Sequence, residues 1–272
     1  MVATLDIPQM DTLDSQKISS SLDFRVFPGQ ITVKMPLLIK QGRTPISIYE
    51  LARKRLVIRE IYRNVTQNPH QYPESFRQEI RKKYDLLWNK YYDTGDMWLR
   101  QSASQGGKGK LVLYNAEVLE FLKRNLNPES RLTDRGPLAL DMELEGAYDS
   151  FTGSNVLELT KAEMNIFFGR LNTRQEAKES PFWKLVLGDI RNDYIDAVFS
   201  DGEERFRYQH AMGTYVLPPE NVSTGVLFFV TSLEGRSNAS GVAYMGCKSG
   251  RIVGVAPEAS TIRKPAALEQ MV

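Results

Sequence analysis

Residues 183–212 read WKLVLGDIRNDYIDAVFSDGEERFRYQHAM. Asp201-Gly202 stands between runs rich in apolar, aromatic and β-branched residues. An Asp-Gly pair accepts the positive φ angles of a two-residue hairpin turn. The stretch is therefore expected to form strands over 183–190, 194–200 and 205–212, turning at 201–202. Farther on, Thr224 to Leu233, Gly241 to Cys247 and Arg251 to Ala256 add three expected strands, and Ser249-Gly250 turns the last pair. Upstream, Leu22, Phe24 and Val26 alternate with Asp23 and Arg25. Pro28-Gly29 is a turn signal, and Ile31, Val33 and Met35 resume the alternation, which gives a first hairpin.

Between these β-rich ends the period changes. Ser47 with Glu50 three residues later is a capping-box pair. Beyond it, Ile48, Leu51, Arg55, Ile58, Tyr62 and Val65 fall on one helical face, with Arg55 its single charged intruder. A second helix is expected to start near Pro73, to carry Phe76, Ile80, Tyr84, Leu87 and Tyr91 as its apolar stripe, and to close at Thr94-Gly95. Leu111 and Leu113 suggest a short strand, followed by a short helix capped by Asn115. Thr160 with Glu163 opens another helix through Phe167, Phe168 and Leu171.

The expected class is α+β. It is a predominantly antiparallel sheet of about seven to nine strands with a helical insertion, about 44–125, after the first hairpin. A single domain spans 21–256. The polar residues 1–20 make a flexible arm and 257–272 a loosely held tail. The irregular stretch Leu126 to Asn155 is an extended loop or linker.

The totals exclude several function classes. The chain has 272 residues, 42% of them hydrophobic and 25% charged, a globular balance that rules out collagen-like and wholly disordered chains. Cys247 is the one cysteine, so an internal disulfide is impossible, and with only His70 and His210 beside it no Cys/His zinc site is expected. No window approaches 18 consecutive apolar residues, and the N-terminus lacks the basic start and apolar run of a secretory signal. A cytoplasmic protein with no membrane partner is the expectation.

Motifs for common chemistries fail on inspection. The loop Gln105-Gly106-Gly107-Lys108-Gly109-Lys110 has Ser104 where a P-loop needs Gly and Leu111 where it needs Ser or Thr. No Gly-x-Gly-x-x-Gly follows a strand, so no dinucleotide cofactor is expected. Gly235 to Gly241 lacks the spacing of a nucleophile elbow and suggests a polar loop with Arg236 at its tip. His210 and Cys247 suit strand positions better than catalytic ones. Thr224 to Val230 lacks the leading basic residue and aromatic spacing of an RNA-recognition strand and suits a buried central strand. Asp189, Asp193 and Asp196, with Glu203, Glu204 and Lys184, are candidates for a divalent-metal cluster, although in a strand Asp193 and Asp196 point to opposite faces.

Charge is the most informative pattern. From Lys40 to Lys90 there are 12 Lys and Arg against 5 Asp and Glu, and from Leu111 to Thr160 there are 4 against 9. The basic segment carries Arg53, Arg59, Arg63, Arg81, Lys82 and Lys83, with Trp98 nearby and Lys108 and Lys110 in the glycine loop. Cations neutralise phosphates by releasing counterions, and flat rings stack unpaired bases. Together with Arg236 these residues suggest a non-enzymatic binding subunit that holds nucleic acid, preferably single-stranded, through its backbone. Against this, charged outer faces of helices are ordinary. A second expectation is a structural subunit of a homo- or hetero-oligomer, its basic segment meeting a neighbour's Glu117 to Asp149 region. A third, weaker one is a metal-dependent hydrolase built on the three aspartates.

Overall fold

The computed structural model describes residues 23–125, 148–216, 224–241 and 250–256. The expected arm, the tail, Cys247 and most of the expected 126–155 loop and 241–247 strand lie outside the described residues.

Nine strands form one mixed sheet. They are β1 (Phe24–Pro28), β2 (Thr44–Pro45), β3 (Tyr92–Arg100), β4 (Gly109–Val112), β5 (Val156–Leu159), β6 (Thr214–Val216), β7 (Thr224–Val230), β8 (Ala239–Gly241) and β9 (Arg251–Val255). The main path runs β1-β9-β3-β7-β8-β6, while β2 joins β9 and β4 bridges β3 to β5. Two pairings, β6 with β8 and β3 with β9, are parallel, and the other described pairings are antiparallel. The α+β class stands, and the predominantly antiparallel sheet is corrected to a mixed one. β1 lies against β9 with Phe24 opposite Val255, so the first and last described strands are neighbours.

Side chains alternate across the pleat and feed two cores. Met97, Leu99 and Leu227 join Phe27, Met35 and Leu122 on one face. Trp98, Val226, Phe228 and Val253 join the other, larger core. Helices α1 (Ile31–Lys40) and α4 (Ala116–Asn125) belong to the first layer. The second holds α2 (Ile48–Gln67), α3 (Glu74–Trp88), α5 (Lys161–Phe167), α6 (Arg174–Glu179), α7 (Pro181–Leu187) and α8 (Arg191–Phe206). A sheet covered on both faces explains why β7 is an almost continuous apolar run.

Several expectations change here. The first hairpin is half right: β1 forms, but Ile31 onward is α1, because Ile31, Met35 and Leu38 fall on one buried helical stripe. The expected insertion holds α2 and α3 and also β2, β3 and β4, and α3 stops at Trp88, before the central strand β3. The largest correction concerns 183–206, which is helical. Tyr194, Ile195, Val198, Phe199 and Gly202 recur at the helical period and are buried. Gly202 turns no hairpin. It lies inside α8, where a Cβ atom would stand 2.1 Å from the Tyr208 ring.

The helix ends follow local chemistry. Ser47 Oγ accepts the Glu50 N–H, while the Glu50 carboxylate pairs with buried Lys54 and does not reach back to Ser47. Asp96 of β3 takes the Ile48 N–H at 2.6 Å and the Tyr114 N–H at 2.8 Å, tying the start of α2 to the sheet. Thr160 and Glu163 form the full capping box expected, and Thr173 with Glu176 forms another. Arg55, the intruder on the α2 stripe, is fully buried. It donates to the carbonyls of Leu87, Lys90 and Thr231 and to the Tyr194 hydroxyl at 2.8–3.2 Å, joining α2, α3, α8 and the end of β7.

Candidate functional site

Where α2, α3 and α8 meet, two guanidinium groups grip one buried carboxylate, and a third is linked to it through Tyr84. Arg59 grips Asp201 with two bonds, of 2.8 and 2.7 Å, and Arg63 adds a third at 2.9 Å. The Tyr84 hydroxyl lies 3.4 Å from Asp201 and 3.4 Å from Arg205, whose other nitrogen donates to Asn89. Burial, and then the Asp201 charge, raise the Tyr84 phenol above its ordinary value, so it stays a neutral donor.

Rings, some buried and some exposed, extend this cluster. Tyr62 stacks on Tyr84 with centroids 4.3 Å apart. The Arg205 guanidinium lies 5.9 Å from the Tyr84 ring and 5.2 Å from the Phe206 ring. Phe206 runs nearly parallel to Tyr208, and Arg236 lies 5.8 Å over the far ring. Tyr62, Tyr84, Arg205, Phe206, Tyr208 and Arg236 thus form a continuous ledge in which each cation follows two rings; Tyr84 and Tyr208 are buried beneath it, and Arg205 and Phe206 are exposed. Arg63 keeps 43% of its side chain exposed, and Phe206 is 37% exposed. One carboxylate cannot neutralise Arg59, Arg63 and Arg205 together, although exposed Glu203 and Glu204 flank the ledge on α8.

The ledge depends on unusual backbone. Arg207, at the C-cap of α8, has φ 55°, and Met212, Arg236 and Ser237 are also left-handed. Met212 N–H donates to the Arg236 carbonyl, so two of these residues brace each other. Non-glycine residues in this region cost roughly 1–2 kcal/mol each and persist only where the surroundings fix them.

The residues singled out in the sequence divide sharply. Arg59 and Arg63 meet at Asp201, and Arg236 lies over the Tyr208 ring at the far end of the ledge. Arg53, Arg81 and Lys82 are exposed on α2 and α3, and Lys83 pairs with Glu79. Lys108 pairs with Glu158 at 2.7 Å. Lys110 is buried and spends its ammonium on the carbonyls of Tyr148 and Phe151. Trp98 is buried edge-on to Phe168 in the larger core and offers no face to a base. The aspartates do not converge. Asp189 accepts a bond from Tyr49, Asp193 is exposed, and Asp196 pairs with Lys178. Among the described residues no group of three or more His, Cys, Asp or Glu is placed to hold a metal ion. Much of the acidic Glu117 to Asp149 region lies outside the described residues.

Sequence reasoning missed Arg205, Phe206 and Tyr208. The signal was the alternation Arg205-Phe206-Arg207-Tyr208, hidden by its assignment to a strand.

No family model and no curated protein matches the sequence. A solved structure matches in shape: a protein of Nanoarchaeota in which the C-type lectin fold accommodates massive sequence variation. The match covers 86% of this chain and 97% of that one, with a TM-score of 0.56 and 13% identity. The likeness is one of fold. In this C-type-lectin-like arrangement the ledge is carried by the helical layer and the loop before β8, on top of the sheet's larger core. No helix of the described residues is long and apolar enough to cross a membrane.

Proposed function

We propose that this chain is a non-enzymatic binding protein whose C-type-lectin-like fold presents the ring-and-arginine ledge to a polyanion, with single-stranded nucleic acid as the ligand. The observation that carries this reading is the run of contacts between rings and guanidinium groups from Tyr62 to Arg236, in which Arg205 and Phe206 are exposed beside Arg63. Cations spaced along an exposed face neutralise phosphates, and Phe206 offers an unpaired base a flat surface. The fold neighbour accommodates massive sequence variation. In this chain the framework rests on a sheet with a core on each face, which leaves side chains such as Arg205 and Phe206 available for contact.

Fluorescence anisotropy with a labelled single-stranded oligonucleotide tests it. If Arg63, Arg205 and Arg236 each meet a phosphate, log affinity falls against log salt with a slope of about −2. Phe206→Ala is expected to cost about 1–3 kcal/mol, the range for one stacked base. Replacing the three arginines by Gln should flatten the salt dependence while the fold persists by circular dichroism. Salt-independent binding, or a triple variant that binds like the parent, defeats the proposal.

A further inference from the structure

Helix α1 is apolar on both sides. Ile31, Met35 and Leu38 form its inner stripe, buried in the smaller core. Its outer stripe is Val33, Leu37 and Lys40, spaced four and three residues apart and all exposed. Val33 is 43% and Leu37 42% exposed, and Pro36 is half-buried beside them. Single exposed apolar side chains are ordinary, but a helix that is apolar all round has the pattern of one covered on both sides. Among the described residues the outer stripe has no such cover. The charge of this face has one sign. α1 carries Lys34 and Lys40 and no Asp or Glu, and neither ammonium enters an ion pair among the described residues. A cover for the face must therefore be both apolar and acidic. A second copy of α1 is neither, since it would bring four ammonium groups together.

The chain itself carries a segment of that chemistry. Residues 5–14 read LDIPQMDTLD. They hold the apolar residues Leu5, Ile7, Met10 and Leu13, the acids Asp6, Asp11 and Asp14, and no Lys or Arg. The tail 257–272 offsets Glu258 and Glu269 with Arg263 and Lys264, so it lacks this complementarity. The route from segment to face is short. The segment joins the described chain at Asp23, which is tied to the C-terminal end of α1. Arg43 donates to Asp23 at 3.2 Å, and Arg25 donates to Gln41, the C-cap of α1, at 2.8 Å. From Gln41, Leu37 lies about 6 Å and Val33 about 12 Å back along the helix axis. Residues 15–22 span up to about 28 Å when extended, more than twice the longer distance.

We infer that residues 5–14 dock on the outer face of α1 as an intramolecular clasp. Their apolar side chains cover Val33 and Leu37, and their aspartates pair with Lys34 and Lys40. A short linker holds the segment at a millimolar effective concentration. A contact too small to capture a separate chain is then enough to hold the chain's own segment. α1 belongs to the layer opposite the helices that carry the ledge, so the clasp leaves the ledge uncovered.

Hydrogen-exchange mass spectrometry on the full chain tests the clasp. Amides of residues 5–14 are expected to exchange at least tenfold more slowly in the parent than in Leu37→Asp, an exposed position where the melting temperature should stay within a few degrees. Lys34→Glu with Lys40→Glu should release the segment, and adding Asp11→Lys and Asp14→Lys should restore its protection, a recovery that general destabilisation does not produce. Carbodiimide coupling joins a carboxylate to an amine in contact, with loss of water. It is expected to link Asp11 or Asp14 to Lys34 or Lys40 within the monomer. Exchange of residues 5–14 at the rate of an unstructured peptide, protection that survives Leu37→Asp, or no recovery in the charge-swapped chain overturns the inference. So do cross-links confined to a dimer, which assign the face to a second copy, and cross-links from Glu258 or Glu269, which assign it to the tail.

Discussion

Among single residues, Asp93 has an effect on stability that depends on pH. It is buried at the start of β3 and accepts the Arg251 N–H at 2.9 Å. Burial pushes its carboxyl up to about 6, against an ordinary aspartate value of 3.8. The folded chain thus holds this proton more tightly than the unfolded chain. Its contribution to stability is full below about pH 4, is lost as pH rises through about 6, and stays lost above that. A shift of this size is worth on the order of 2–3 kcal/mol. Urea unfolding at pH 4 and pH 7.5 should show that Asp93→Asn narrows the gap between the two conditions by this amount. An identical gap in both proteins rules the effect out. Arg55 shows why such residues are hard to read in advance. The helical period placed it correctly on the buried stripe of α2. Its partners, three carbonyls and the Tyr194 hydroxyl, come from segments 32 to 176 residues away.

At the level of elements, sequence pattern succeeded where the signal was local. Thr160 with Glu163, Ser47 and Asn115 start helices because each needs only its own next turn. It failed at α8, where Asp201-Gly202 has the composition of a turn and a different task. Asp201 receives Arg59 and Arg63, and Gly202 makes room for Tyr208. Arg59 and Arg63 are 142 and 138 residues away, and Tyr208, though near in sequence, meets Gly202 only because the chain turns back past the helix end. Ala is normally about 1 kcal/mol better than Gly inside a helix. At position 202 the added methyl meets the Tyr208 ring, and overpacking of this kind costs about 1–3 kcal/mol. Gly202→Ala is therefore expected to lower the melting temperature and to weaken oligonucleotide binding by displacing Tyr208 from Phe206. In a Tyr208→Ala background the same change should become neutral or stabilising. A similar loss in both backgrounds means that the contact does not govern this position.

The whole molecule is a sheet sealed on both faces, and that property was only partly legible. Alternation in β1 and the apolar runs of β7 and β9 revealed strands, but the parallel pairing of β6 with β8 and the mixed order of the sheet depend on which strands meet. The same holds for the ledge, which is assembled from segments that share no motif. Arg63 and Arg236 were legible as cations, but not as neighbours of one stack. One consequence of the pairing of Phe24 with Val255 concerns how the polypeptide is threaded. Adjacent strands lie about 4.8 Å apart, so about five flexible residues suffice to join the outer ends of β1 and β9. A circular permutant of residues 23–256 joined there, and opened between Ser104 and Gln105 on the exposed turn before β4, should unfold cooperatively within a few degrees of the unpermuted 23–256 segment. Loss of a cooperative transition shows that the order of synthesis matters to this architecture. Retention makes this sheet a scaffold that can be opened elsewhere while the ledge stays in place.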